Sequence, residues 1–194
     1  MRVLFAVLAL SLVVLSAPAG AATVSSVAYS EPPSTTPEES CSRYAACPPA
    51  TVTFQAAAGE ANVVSVSTGP AGSTFRDSGA PLTAGAGCTG QSDGSVVCPG
   101  GQTTVDLADG NDSVQSNFAL FLVRGGDGDD VLAGGATMEG GPGNDTLNGS
   151  PNADRLLGGS GRDVLNGDDG GDVLVDDGGV EAAQIDGGGV SDEL

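Results

Sequence analysis

The sequence contains no histidine, no lysine and no tryptophan. Without histidine, the chain can form neither an H-E-x-x-H zinc protease site nor a Ser-His-Asp triad. Without lysine, it can hold no S-x-x-K nucleophile, Schiff base or P-loop. The G-x-S-x-G elbow is also missing, and the single G-x-G-x-x-G, at residues 85–90, contains a cysteine and has no helical pattern after it. These absences predict a protein without catalytic activity.

The chain is also poor in positive charge. Its six basic residues are all arginine, and they face 25 acidic residues, for a net charge of −19. Proteins bind nucleic acid through lysine and arginine on phosphates, so this balance argues against nucleic acid and against anionic membrane surfaces. It favours cations as partners. An acidic chain can instead be merely soluble or disordered, but the acids here recur at fixed positions in a repeat.

Long apolar runs are rare, and the longest one is at the N-terminus. A short basic start is followed by an apolar run at residues 3–15 and by small residues at 16–21, with Ala19-Gly20-Ala21 as a cleavage site. This pattern predicts a signal peptide over residues 1–21. The run is too short to span a bilayer, although a retained membrane anchor is the alternative. We therefore expect no membrane insertion after cleavage, and a secreted or extracellular location that includes the cell surface.

Four cysteines are present, an even number in a chain that is predicted to be exported. Disulfides are the natural interpretation. Proximity in sequence favours Cys41–Cys47 and Cys88–Cys98, although four cysteines allow three pairings. A zinc site is not expected, because the chain has neither a C-x-x-C pair nor a histidine.

The N-terminal half, after the predicted signal peptide, divides into two regions of different amino-acid composition. Residues 22–49, which include the first cysteine pair, are rich in serine, threonine, proline and glutamate and are predicted to be a flexible linker. Residues 50–106 contain short alternating runs, such as 51–54 and 61–67, punctuated by glycine and proline. We expect a small, disulfide-clipped β cap here, covering the open edge of the structure that follows.

A nine-residue pattern dominates the C-terminal half. Gly-Gly-Asp-Gly-Asp-Asp-Val-Leu-Ala at residues 125–133 returns in related form at 140–148 and at 158–166, as G-G-x-G-x-D-x-U-x with U a large aliphatic residue. The first six residues make a turn, and the last three make a very short strand with one inward aliphatic side chain. One such unit cannot bury its own face, so the units must stack as a parallel β structure.

This pattern resembles the RTX, or haemolysin-type, calcium-binding repeat. The resemblance covers roughly the last half of the chain, residues 107–194. It implies an all-β fold: a right-handed parallel β-roll, or β-solenoid, in which two units form one coil. It also implies that calcium binds between the turns of successive coils on the same side.

Counting in nines places the turns on two sides of the roll. Turns begin at 107, 116, 125, 134, 140, 149, 158, 167 and 176, and every step is nine except the six from 134 to 140. Alternate turns then give one side a long column of acids at the sixth position, ending in Glu181, and give the other side only Asp154 and Asp172. This assignment requires the clipped unit at 134–139 to form a half-coil.

The repeat positions identify the candidate calcium ligands. Glycine permits positive φ and lets backbone carbonyls point at a cation, and aspartate adds a hard anionic oxygen. Solvated turn residues and a catalytic carboxylate pair are the alternatives, but every sixth-position aspartate has the same neighbours, which favours repeated metal ligation. The predicted ligands are Asp112, Gly125, Gly126, Asp127, Gly128, Asp130, Gly140, Gly141, Gly143, Asp145, Asp154, Gly158, Gly159, Gly161, Asp163 and Asp172.

The predicted inner core of the array is thin. It consists of one aliphatic side chain per unit: Val114, Val123, Leu132, Met138, Leu147, Leu156, Leu165 and Leu174. So small a core predicts that calcium supplies folding free energy. The hypothesis is therefore a secreted, non-enzymatic calcium-binding protein with an unspecified protein partner. The alternatives are a calcium-stiffened adhesion or structural spacer at the cell surface, and a relative of a secreted enzyme that lacks its catalytic module.

Overall fold

The computed structural model describes residues 21–27, 51–176 and 184–188. The predicted signal peptide up to residue 20, the Cys41–Cys47 pair and Glu181 lie outside these residues. All regular elements of the described part are strands, and no helix there is long and apolar enough to cross a membrane. The strands are β1 Ala22–Val27, β2 Thr51–Gln55, β3 Val63–Gly69, β4 Gly72–Asp77, β5 Leu82–Ala84, β6 Thr89–Gly90, β7 Val96–Cys98, β8 Gln102–Asp106, β9 Ser113–Leu120, β10 Leu122–Arg124, β11 Val131–Gly135, β12 Thr137–Pro142, β13 Thr146–Asn148, β14 Arg155–Ser160, β15 Val164–Asn166, β16 Val173–Val175 and β17 Gln184–Asp186.

Two sheets lie opposite each other along the roll. The first sheet has the order β16-β14-β12-β10-β8-β2-β1-β5, and the second has the order β17-β15-β13-β11-β9-β3-β4-β7-β6. From β8 onward, consecutive strands alternate between the sheets, and from β10 onward each pairs in parallel with the strand two earlier. Two strands therefore make one coil, which confirms the predicted all-β roll.

The inward aliphatic positions form continuous rows between the sheets. All eight predicted positions are at most 1% exposed, and they align across neighbouring strands, as in the pairs Leu132–Leu147 and Leu156–Leu174. The sequence analysis missed Leu107 and Leu120, which are also fully buried. From β10 to β16 the core is thus one side chain deep, because each strand turns only one aliphatic residue inward, whereas β9 contributes both Val114 and Leu120.

The clipped unit makes a half-coil. Only Ala136 separates β11 from β12, yet β12 joins the opposite sheet, where Met138 pairs with Val123 and with Leu156. Gly134 makes this reversal possible, since it takes a φ of +91° that a side chain would oppose. The two sides therefore do not exchange after residue 140, and the counted side assignment is confirmed.

The nine-residue count fails after residue 176. In β17, Ile185 pairs with Leu165, whereas counting in nines placed Ala183 at that position. The unit that begins at 176 is therefore two residues longer than predicted. Ile185 lies in the terminal strand of its sheet as described, and its side chain is still 36% exposed.

The coils begin well before the glycine-rich repeats. β2 pairs in parallel with β8, with Phe54 opposite Val105, and β3 pairs in parallel with β9, with Val64 opposite Val114. These two strands form the first coil, inside the region that was expected to be a separate cap. β1, within the predicted linker, also pairs with β2, and its Val24 is fully buried. Its alternating small and β-branched residues suit a strand better than a linker.

The predicted Cys88–Cys98 disulfide is present, but it does not clip an N-terminal cap. It lies in an excursion, strands β4–β7, which the chain makes after completing the first coil and before returning at β8. β4 continues the second sheet antiparallel to β3, and β7 and β6 follow it. The expectation was wrong because β2 and β3 pair directly with the array and form its first coil, whereas β4, β7 and β6 extend the second sheet beyond β3.

Candidate metal centre

The sixth-position aspartates form two columns of buried carboxylates. The turns that lead from the first sheet to the second carry Asp112, Asp130, Asp145 and Asp163, which we call the first column. The turns that lead back carry Asp154 and Asp172, the second column. All six residues are at most 4% exposed. Aspartate is almost never buried to this degree unless it is paired, so the columns require a partner.

In five of the six carboxylates, one oxygen accepts a backbone N–H from the preceding coil. The backbone N–H of Asp112 donates to Asp130 Oδ1, that of Asp130 to Asp145 Oδ1, and that of Asp145 to Asp163 Oδ1, each at 2.8 Å. In the second column, the N–H of Asp154 donates to Asp172 Oδ1 at 2.8 Å. These bonds orient the carboxylates that accept them and link each coil to the next, whereas Asp154 Oδ2 accepts the N–H and the O–H of Ser150 in its own turn, at 2.6 and 3.0 Å.

The other oxygen of several of these carboxylates is buried but accepts no hydrogen bond. Oδ2 of Asp112, Asp130 and Asp145, and Oδ1 of Asp154, are buried without a hydrogen-bond partner. A buried charged oxygen without a donor costs more than the roughly 1–3 kcal/mol typical of a neutral group. Among the described residues, no three carboxylate, cysteine or histidine side chains converge on one point. A cation held here would therefore take its remaining ligands from the backbone.

The first glycine of the repeat turns lies where a carboxylate oxygen of its own turn and a carbonyl oxygen of the next coil converge. Because glycine has no Cβ, space remains between these oxygens. A Cβ on Gly125 would meet Oδ2 of Asp130 and, at 2.7 Å, the carbonyl oxygen of Gly140 in the next coil. A Cβ on Gly140 would likewise meet Asp145 Oδ2 and the carbonyl of Gly158. Carboxylate and carbonyl oxygens are the ligands that calcium prefers in proteins, so this donor set fits the ion.

The second and fourth glycines bring the coils into close contact. Gly126, Gly141 and Gly159 at the second position and Gly128, Gly143 and Gly161 at the fourth all have positive φ and lie against backbone carbonyls of the preceding coil. Ala108 and Asp168 take the second position with φ of 69° and 71°, so two turns adopt this shape without glycine. Asp127, at the third position, is exposed and is not among the sixth-position carboxylates.

Burial raises the pKa of the column aspartates. The pKa of Asp130 rises to about 7, mainly because its carboxylate is desolvated and then because Asp145 and Asp112 repel its charge. The pKa values of Asp112 and Asp145 rise to about 6 for the same first reason, and burial also raises the pKa of Asp154. A nearby cation would oppose these shifts.

We expect the metal-free roll to be more stable in mild acid. The pKa of Asp112, Asp130 and Asp145 lies above the ordinary 3.8 in the fold, so protonation favours folding, and this stability is lost as the pH rises through about 6 to 7. In chelator, far-UV circular dichroism should show more β structure at about pH 5 than at pH 7.5. In calcium the trend should reverse, because the ligands must be deprotonated. A chelated chain that folds better at pH 7.5 would contradict this.

Two functional candidates escaped the sequence analysis. The N–H of Asn62 donates to Asp112 Oδ1 at 2.6 Å, so Asn62 occupies the first-column position one coil before Asp112. Glu60 precedes it in the same turn. The turn at 57–62 lacks the repeated glycines, and the excursion at β4–β7 breaks the nine-residue spacing. The only signal in the sequence was the pair Val63-Val64 after the polar Asn62, and this pattern is too short to identify a repeat.

Comparison with known proteins agrees with this geometry. The model of the RTX calcium-binding nonapeptide repeat matches four copies, at residues 122–136 and 139–174. No curated protein and no solved structure matches the chain. The matched residues contain the turns of Asp130, Asp145 and Asp163 and both turns of the second column. Residues 122–136 and 139–174 are therefore RTX calcium-binding nonapeptide repeats.

Proposed function

We propose that this is a secreted, non-enzymatic protein whose repeat array folds when calcium binds between its stacked turns. The observation that carries the proposal is the first column, where each of Asp112, Asp130 and Asp145 has one buried carboxylate oxygen without a donor. The proposed ligands are the sixth-position aspartates and carbonyl oxygens of the turn glycines. The predicted signal peptide supports export.

The free energy of folding depends on the balance between the stabilisation from the apolar core and the cost of the buried carboxylates. From β10 to β16 the array has one inward aliphatic side chain per strand, and six carboxylates lie buried beside that narrow core. Like charges stacked on successive coils oppose folding, and a thin core offsets little of that cost. A divalent cation between the turns removes the repulsion and satisfies the second oxygens. Its binding free energy then becomes folding free energy.

The concentration range of calcium supports an extracellular role. Extracellular modules bind calcium at roughly 10⁻⁴ to 10⁻³ M, whereas cytosolic calcium buffers bind far more tightly. A chain exported without bound ion would stay loose until it reached calcium outside the cell. Calcium thus acts as the signal that completes the fold in the compartment where the protein works.

The test is the folding response of the mature chain to metal. In chelator at pH 7.5 we expect a largely disordered far-UV circular dichroism spectrum, and in excess calcium a β-rich one. Magnesium is the control, because it demands tight octahedral geometry and sheds water reluctantly, and it should substitute poorly. Equal spectra in chelator and calcium would count against the proposal. Equal folding by the two ions would indicate charge screening.

A further inference from the structure

A degenerate turn precedes the first glycine-rich turn of the first column. Residues 57–62 join β2 to β3, and these strands pair in parallel with β8 and β9. The turn therefore stacks on residues 107–112 as successive repeat turns stack on one another. The carbonyl of Glu60 lies against Gly110 just as the carbonyl of Gly110 lies against Gly128. The first column thus extends one layer beyond the turn of Asp112, which itself precedes the matched repeats.

The hydrogen bonds of this turn reproduce those of the repeats. Asn62 N–H donates to Asp112 Oδ1 at 2.6 Å, where the equivalent bond from Asp112 to Asp130 is 2.8 Å. The carbonyl of Asn62 accepts the N–H of Ser113 at 2.9 Å, as the carbonyl of Asp112 accepts that of Val131. Gly59 N–H also donates to Asp109 Oδ1 at 2.7 Å. Asn62 is therefore a structural equivalent of the sixth-position aspartates.

Three buried oxygens in this layer have no donor. Asn62 is completely buried and its Oδ1 has no hydrogen-bond partner. Asp112 is 2% exposed with an unpartnered Oδ2, and Oε1 of Glu60 is buried and unpartnered as well. Amide and carboxylate oxygens accept hydrogen bonds but donate none. Three acceptor oxygens in one layer, none of which receives a hydrogen bond, are the kind of ligand that a hard cation prefers.

The surrounding residues orient these oxygens and add negative charge. Asn62 Nδ2 donates to Asp77 Oδ2 at 2.7 Å and approaches Glu60 Oε2 at 3.4 Å. This fixes the amide, so its Oδ1 is directed away from Asp77. Asp77 itself is held in β4 by the N–H groups of Val63 and Gly79. The ion pairs Arg76–Asp93 and Arg124–Glu139 involve none of these acids, so neither neutralises the layer.

We propose that Glu60, Asn62 and Asp112 form a further calcium site between the turns at 57–62 and 107–112. It lies outside the matched repeats and joins the pre-repeat coil to the array through one shared ion. Asp77 acts as a positioning residue for the Asn62 amide. Because Asp77 lies in β4, it also links the site to the excursion. The choice of calcium rests on the function proposed above, whereas the site itself rests on the three buried oxygens.

The test compares isosteric charge changes in the full mature chain by calorimetric titration with calcium. Glu60→Gln keeps the bond from Ala57 N–H to this side chain but removes a charge, and it should lower the stoichiometry by one ion. Asn62→Asp combined with Asp77→Asn keeps the side-chain hydrogen bond between these two positions with its direction reversed, adds a charged ligand, and should tighten one site by roughly tenfold. Equal far-UV spectra in saturating calcium control for folding. The amide shift of Asn62 on calcium addition should be present in the wild type and lost in Glu60→Gln.

The outcomes separate this site from the repeats. Wild-type stoichiometry and affinity in both variants, with an unchanged Asn62 shift, would overturn the site and make the turn an ion-free end of the column. Asp145→Asn supplies the second arm, because Asp145 lies within the matched repeats. If Glu60→Gln loses an ion while Asp145→Asn loses none, the site stands and the function proposed for the repeats fails. If only Asp145→Asn loses ions, the function proposed for the repeats stands and the site at Glu60, Asn62 and Asp112 is overturned.

Discussion

Replacement of Gly128 by alanine is expected to destabilise the calcium-loaded roll by roughly 4 kcal/mol, among the largest effects of a single substitution. Two causes act together. Gly128 has a φ of +139°, a conformation that L side chains rarely adopt. The new Cβ would also collide with the carbonyl oxygen of Gly110, a backbone atom that cannot move without separating two coils. The measurement is the free energy of unfolding in saturating calcium.

Two matched glycines separate the causes. Gly94 has a φ of +81° and open space around its Cα, so Gly94→Ala tests backbone strain alone and should cost roughly 1–2 kcal/mol. Gly100 has open space and no positive φ, so Gly100→Ala should stay within about 0.5 kcal/mol of wild type. If Gly128→Ala costs no more than Gly94→Ala, the coils can separate at this turn, and close stacking is not what the fourth-position glycine provides.

Asp145→Asn is expected to have effects of opposite sign with and without calcium. Asparagine keeps an Oδ1 that can accept the N–H of Asp130, as Asp145 does at 2.8 Å, so the ladder between coils survives. In chelator the substitution removes a buried charge that desolvation disfavours, and the metal-free chain should be at least as stable as wild type. In calcium it removes a charged ligand and should cost about 3 kcal/mol.

The position of Asp145 in its column enlarges the effect. It lies between Asp130 and Asp163, and its hydrogen bonds reach both, so two layers of ligands should be disturbed. Asp154 begins the second column, after the clipped turn, and Asp154→Asn should disturb fewer. Asp93→Asn is the charge control, because its ion pair with Arg76 is exposed and surface pairs contribute little.

Calorimetric titration and thermal melts on the four proteins check these expectations. Asp145→Asn should bind fewer calcium ions than Asp154→Asn, and Asp93→Asn should match wild type in stoichiometry. Equal losses at Asp145 and Asp154 would show that the two columns contribute alike and that column length does not matter. A melting temperature in chelator that falls for Asp145→Asn would show that the carboxylate stabilises the roll without metal.

The sequence by itself determined the repeat, its inward residues and its buried acids. This was possible because a turn and a short strand are local structures. The glycines that permit the turn, the aspartate and the aliphatic side chain all lie within nine residues of one another. Counting then predicted unequal columns, and the side assignment was correct because the clipped unit at 134–139 crosses between the sheets like the others.

Only the tertiary structure decided where the roll begins and what closes each layer. Asn62 and Asp112 are fifty positions apart, and the excursion at β4–β7 hides their common phase. Parallel pairing of β3 with β9 brings them together, a contact that no local pattern encodes. The shift at Ile185 has a similar origin, since the register of β17 against β15 places Ile185 opposite Leu165. Long-range strand pairing therefore set the ends of the column, whereas local turn chemistry set its middle.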